Sequence, residues 1–410
     1  MPSAIVLRPP LPKINKGLGS SCFCLTSAAP SILILLTLSS PCLSAALSYS
    51  LTIASLLHEP SIRMAGDDLV DSLLSLSSSL TPVPPDFEEI RADEEKAKRT
   101  LSNYNPQSRS DDTAKVLESF IDYLPRDGKR ILTKFIATCG DEKTLFDLSK
   151  HLCIAILIPM KAYGGKTPAV TSSPFDNADI ETEEVAAMMI QPSSRKDQKS
   201  LKKMCLERDN FRCMVTGFWD RAARGIVSEE TMGDRILDTE LAHIIPFSLG
   251  KYERREKEQN TARSWTTLYL FFPDICEMAK LSHDDINDPT NAMSLVAALH
   301  TEFGRFNFAL ESTAEENTYV IRTYPGFQRG LIRDLPPPNA NNERLVTFKK
   351  HGNNCDLPSP VLLDTHAAIA KILHASGKAE DIERILRDRE ETRCLAPDGS
   401  TDIERLLLAW

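Results

Sequence analysis

The stretch "TELAHIIPFSLG", residues 239–250, sets a histidine inside an apolar run, with Glu240 before it and Pro246 after it. The longer run "ILDTELAHIIPF" (236–247) alternates enough to predict a strand. Pro246 has no N–H for a sheet ladder and predicts the strand's end. His243 therefore lies near a strand terminus, where an ordinary core residue would serve equally well for packing. A second stretch, "DPTNAMSLVAALHTEFGRFNFALE" (288–311), supplies a reason for it. There Leu295, Leu299, Phe303, Phe306 and Leu310 recur at three- and four-residue spacings, which predicts a helix with one apolar stripe. His300 is one step past Leu299, about 100° round such a helix. On that shoulder a ring is held by packing and still presents a nitrogen to a cleft. Asn291 precedes His300 by nine residues, so one continuous helix would point the two in opposite directions. Either Asn291 caps a helix that begins after it, or the helix begins at Asp288 with Pro289 in its first turn and the pair separates.

Bulk composition narrows the function classes. The chain has 410 residues and a net charge of −9, with 42% hydrophobic and 26% charged residues. This is globular composition, long enough for two or three domains. The acidic balance does not favour nucleic-acid binding over the whole surface, though a local basic patch would suffice. Ten cysteines occur with no CxxC pair. With no regular spacing either, this argues against a zinc ribbon and a disulfide framework, and it fits a reduced, intracellular setting, nucleus or cytoplasm.

Residues 1–63 differ from the rest: no Asp or Glu precedes Glu59, and 28–57 is rich in Ser, Leu and Ala. A signal peptide, a weak membrane span and an organelle-targeting segment each fit poorly. The favoured expectation is a start at Met64, with 1–63 a gene-model artefact and no membrane association. Residues 64–162 read as helices with no polar cluster suggestive of chemistry. Residues 163–192 carry a linker signature. A core spans 193–312, with an inserted helical excursion at 248–287. In 313–410, "NTYVIRTYPG" and "ERLVTFKKHG" predict an antiparallel hairpin across a Pro/Asn-rich loop, followed by helices. The helical flanks are candidate surfaces for protein partners. The stretch "SSRKDQKSLKKMCLERDNFR" (193–212) holds seven basic residues against three acids. Usually such a run is a solvated helix face. Its place just before the candidate site makes Arg195, Lys196, Lys199, Lys202, Lys203 and Arg208 candidates for contact with phosphate.

Arg208-Asp209, Cys213, Thr216-Gly217, then Ala242-His243-Ile244-Ile245-Pro246, then Asn291, Leu295 and His300 resemble the HNH endonuclease motif, in the variant common in fungal proteins, over roughly residues 200–312. The resemblance implies an α+β protein built on a ββα-metal nuclease-like core, two strands and a helix around one divalent ion (Mg, Mn or Zn). It implies metal-dependent hydrolysis of nucleic-acid phosphodiester bonds, with DNA as the expected substrate. His243 would be the general base, since a neutral imidazole can take a proton from water. His300 would ligate the metal, which would act as a Lewis acid at phosphorus. Asn291 would orient the loop carrying His243 or ligate through its amide oxygen. Two positions depart from the pattern: Ala242 and Gly304 stand where the family often has ligands. Glu240, on the same side of a strand as Ala242, is a candidate replacement ligand, and Asp285 and Asp288 are others. A catalytically degenerate core serving as a binding or scaffold module is the alternative.

Overall fold

The computed structural model describes residues 67–80, 87–163, 195–250, 255–352 and 355–391. At several helix ends, including Arg195 and Lys196, only the backbone is described. The expectations for 1–63 and for the linker that follows residue 163 lie outside the described residues. No described helix is long and apolar enough to cross a membrane.

Six helices open the described chain: α1 (Asp67–Ser79), α2 (Phe87–Ser102), α3 (Thr113–Tyr123), α4 (Arg126–Thr138), α5 (Glu142–Leu152) and α6 (Ile158–Tyr163). A π-helical turn, Cys153–Leu157, joins the last two. Their apolar residues recur at helical spacing and are buried, as with Val116, Leu117, Phe120 and Ile121 of α3. Asp141 starts α5 by accepting a hydrogen bond from the Thr144 N–H at 2.8 Å.

Helix α7 (Arg195–Arg208) leads into a short run of strands: β1 (Trp219–Asp220), the one-turn helix α8 (Glu229–Met232), β2 (Ile236–Leu237) and β3 (Thr239–His243). The strand predicted over 236–247 is therefore two strands in two different sheets. β2 pairs in parallel with β1, and the chain turns at Asp238. There the Asp220 carboxylate accepts from both the Thr239 N–H (2.7 Å) and the Thr239 hydroxyl (2.6 Å). β3 ends at His243, short of the predicted Pro246.

Next come α9 (Arg255–Phe271), α10 (Asp274–Glu277), β4 (Ala292–Val296), α11 (Ala297–Gly304), β5 (Phe308–Ser312), β6 (Thr318–Thr323), β7 (Leu345–Thr347), α12 (Pro360–Ser376) and α13 (Lys378–Glu391). β3 and β4 pair antiparallel, with His243 opposite Ala292 and Glu240 opposite Leu295. α11 follows β4 with no intervening loop. The predicted long helix thus shrinks to eight residues: Leu295 belongs to β4 and Leu310 to β5. All five β4 residues are buried. A strand covered on both faces shows no period-two alternation and mimics helical spacing. Phe306, at φ 59, stops the helix from continuing. The predicted hairpin forms between β6 and β7, with β5 added on the other side of β6 to give a three-stranded antiparallel sheet.

α12 packs between β5 and α3, and α9 packs on the π turn and on α4. The described apolar side chains from Leu73 to Ile382 largely share one cluster. The aromatic run of the insertion is buried there, with Trp265, Phe271 and Phe272 almost wholly enclosed. α4 approaches α9 so closely that a Cβ on Gly128 would overlap the Phe271 carbonyl, which demands glycine.

Arg208, expected at a nucleic-acid surface, is wholly buried instead. Its Nε donates to Asp209 Oδ1 at 2.7 Å and one Nη2 hydrogen to Oδ2 at 3.2 Å. Nη1 donates to the carbonyls of Pro289 and Asp356, and Nη2 to that of Ala292, each at 2.8 Å. All five guanidinium hydrogens are thereby satisfied, so none remains for a phosphate. Asp209 also accepts from the Ser294 N–H at 3.0 Å. The pair ties the end of α7 to β4, to the turn before β4 and to the chain near residue 356. Replacing Arg208 by Met leaves Asp209 buried and unpaired; a loss of about 3–5 kcal/mol is expected, read as a lower urea midpoint. Arg208→Lys is expected to recover little of it, because an ammonium cannot reproduce the planar fork.

Candidate functional site

β3, β4 and α11 carry the chemically distinctive residues of both stretches and bring Glu240 and His300 into contact, while His243, three residues on from Glu240 in the strand, has Asn287 and Phe247 as its neighbours. β3 starts where Asp220 holds Thr239, and its ladder with β4 sets the heights of Glu240 and His243. Because α11 starts directly after Val296 and packs on β3, His300 reaches back across the sheet. Its Nδ1 lies 2.6 Å from Glu240 Oε2. An ionised carboxylate only accepts, so Nδ1 donates and Nε2 is the ring nitrogen left to meet a ligand. His300 is buried, while the Glu240 side chain is 44% exposed. The hydrogen bond from His300 holds the Glu240 carboxyl below its usual pKa; partial burial opposes this, and the charges of His300 and Lys202 reinforce it.

Asn291 closes a short 3₁₀ turn, Pro289–Asn291, that precedes β4. Asn291 precedes the helix bearing His300, as one alternative required, but β4 lies between them and Val296, not Asn291, caps that helix. Asp288 and Pro289 do start a helical turn, with Asp288 as its cap, but that turn ends before the helix bearing His300. Asn291 is fully buried. Its Oδ1 accepts from the Ile245 N–H at 2.8 Å, and its Nδ2 donates to the carbonyls of Ile245 and Ile286 at 3.0 Å. Its own carbonyl accepts from the Ile244 N–H at 2.8 Å. Asn291 therefore clamps the two residues after His243, and its amide oxygen is already engaged by the backbone.

His243 ends β3. Its Nε2 is 3.1 Å from Asn287 Oδ1, so Nε2 carries the hydrogen and Nδ1 holds the lone pair. Nδ1 is shut off from solvent with no hydrogen-bond partner among the described residues, an orphan that calls for explanation. The Phe247 ring lies 5.4 Å away. Loss of hydration pushes the imidazole down to about 4, against a raising effect of the Asn287 bond and with a lowering effect of the His300 charge. The imidazole is thus neutral near pH 7. Asn287 was not singled out from the sequence; its only signal is a second Asn one helical turn before Asn291, on the other side of Asp288-Pro289.

The remaining candidates disperse. Lys202 donates to the Thr239 carbonyl at 2.9 Å, on the Glu240 side of the site. Lys199 and Lys203 are exposed, and Lys203 sits 3.9 Å from Glu207. The side chains of Arg195 and Lys196 lie outside the described residues. Ala242 is fully buried opposite Met293, and Gly304 is buried at the end of α11. His366 is stacked between Phe303 and Phe306 at 3.8 and 4.1 Å, a packing role.

No group of three or more His, Cys, Asp or Glu suited to a metal occurs among the described residues. A closed structural zinc site needs four such donors. A hard divalent ion that keeps its waters and takes substrate phosphate needs only one or two protein ligands. The Glu240–His300 couple offers one donor, His300 Nε2, because the Glu240 oxygen lies on the opposite edge of the ring at Nδ1; with waters and substrate phosphate it suits the second kind and not the first.

Residues 213–311 match the HNH endonuclease family. No curated protein and no solved structure matches the chain.

His151 and His243 are each pushed down to about 4, and His366 to about 3, all chiefly by burial. The unfolded chain protonates these rings near the ordinary 6.5 while the folded chain refuses the proton. Stability should therefore be insensitive to them above pH 6.5 and fall progressively from there toward pH 4. Urea midpoints across this range test it. A flat profile would remove the case for buried neutral imidazoles, and replacing His151 and His366 by Gln or Phe should shallow the slope.

Proposed function

We propose that the chain, which carries an HNH endonuclease domain over residues 213–311, hydrolyses phosphodiester bonds of nucleic acid, DNA in the first instance, with a divalent metal. The observation that carries this reading is the presence, on the one unit of β3, β4 and α11, of a neutral His243 whose Nδ1 lacks a partner among the described residues and of the Glu240–His300 couple. His243 is the general base. Asn287 holds the hydrogen on Nε2 and leaves the lone pair on Nδ1; substrate binding must open this nitrogen, closed to solvent here, to the attacking water. Asn291 positions the base by fixing the backbone at Ile244 and Ile245. His300 would hold the ion through Nε2. When bound, a divalent ion neutralises charge on the phosphate and on the leaving oxygen. Glu240 orients His300 as carboxylates orient metal-binding imidazoles elsewhere.

A second reading, a degenerate core used for binding, draws on Ala242, a fully buried residue with no donor where the family often has one, and on the sparse metal donors among the described residues. Activity separates the two readings.

Three outcomes are expected from plasmid nicking with Mg²⁺ or Mn²⁺. His243→Ala should lower cleavage by about 10²–10⁴-fold, the usual contribution of a general base, with circular dichroism unchanged. Chelation with EDTA should abolish cleavage and added metal restore it. The acid limb of the pH–rate profile should fall near pH 4 instead of 6.5, because His243 must be deprotonated to act; Asn287→Asp, which sets a carboxylate against Nε2–H, should move that limb upward. Equal nicking by wild type and His243→Ala would mean that another group is the base or that the activity is foreign.

A further inference from the structure

Away from the histidines, an open cleft of about 720 Å³ runs between the turn at Thr216 and the segment joining β6 to β7. Four arginines line it: Arg235, Arg329, Arg333 and Arg344. The one acid in its wall is Asp334, 3.8 Å from Arg333. Arg329 makes no ion pair among the described residues. In a chain of net charge −9, four guanidinium groups against one carboxylate is a local reversal of sign. Like charges gathered in a cleft repel one another, and the field they focus favours an anion. Two of the four are held in place from behind. Arg344 donates from Nη1 to the Pro336 carbonyl, which braces the proline wall. The Arg235 guanidinium lies over the Phe218 ring at 5.4 Å, and its carbonyl accepts from the Trp219 N–H at 2.9 Å. Arg329 and Arg333 are exposed on a 3₁₀ turn, Arg329–Asp334.

We infer that this cleft binds the phosphodiester backbone of a nucleic acid, and that the segment after the matched family region supplies most of it. The planar fork of arginine suits phosphate oxygens. The choice of nucleic acid over an acidic protein rests on the nuclease reading above and on the cleft's construction. Thr216 and Arg235 lie within the matched residues. The turn carrying Thr216 is tied to β4, because the Met214 N–H donates to the Ser294 carbonyl at 2.9 Å. The basic helix α7, the obvious alternative from the sequence, offers less: Arg208 is buried and Lys202 is bonded to β3.

The test is fluorescence anisotropy of a labelled DNA oligonucleotide with the full chain in EDTA, titrated over a range of salt. Arg329→Glu combined with Arg333→Glu should weaken binding by at least about tenfold at low salt. It should also reduce the steepness of the log–log salt dependence by about two, one unit for each lost phosphate contact. Arg235→Glu, from the other wall, should act in the same direction, so a folding defect in one variant does not leave the question open. Lys199→Glu with Lys203→Glu should have the smaller effect. Wild-type affinity in both cleft variants, or a loss confined to the α7 variant, would overturn the inference, as would competition by polyglutamate as effective as by unlabelled DNA. The readout does not need cleavage: loss of binding in the cleft variants of a protein that nicks nothing would support the cleft and remove the nuclease reading, whereas nicking with unaltered binding would do the reverse.

Discussion

A guanidinium sealed from water must find every one of its hydrogen bonds inside the protein, and Arg208 finds five. Losing one acceptor would leave a buried charge short of partners, at a cost of kilocalories. The strand β4, the turn carrying Asn291 and the chain near Asp356 are therefore held in mutual register by one side chain. With β4 fixed, the ladder fixes β3, and α11, which begins without a loop, has little freedom in how it lies across the pair. The heights of Glu240, His243 and His300 follow from that frame.

Within the frame, the two imidazoles are treated differently. His300 is held from one side by a carboxylate that stays half in solvent. His243 is deprived of hydration and given a neutral amide as its partner. A carboxylate at residue 287 would favour the imidazolium; an amide oxygen fixes the tautomer while leaving the ring uncharged. The Glu240–His300 pair and the Asn287–His243 pair thus set two otherwise identical side chains in opposite electrostatic surroundings.

Much of the architecture could be read from the residues, and the places where it could not have physical causes. The N-terminal helices are amphipathic, so their spacing reports them directly. The β6–β7 pairing was legible because each strand is bounded by turn residues. β4 was not, because burial on both faces erased the alternation and left a spacing that a helix would share; β5 was absorbed into the same false helix. His243, Asn291 and His300 stood out by type and spacing, and Glu240 by its parity with Ala242. Arg208 misled because a basic run is read as exposed, whereas the neighbouring Asp209 and three carbonyls brought together only by folding make its burial tolerable. Asn287 and the cleft arginines gave no pattern, since their meaning depends on contacts between distant segments.

The fifth acceptor of Arg208 is the carbonyl of Asp356, a residue well past the matched region. During synthesis the strands and helix of the site emerge from the ribosome before that carbonyl does. The nascent chain consequently cannot complete the arginine's partners until residue 356 has emerged, so the frame that sets β3, β4 and α11 closes only after a segment lying well downstream of it has been made.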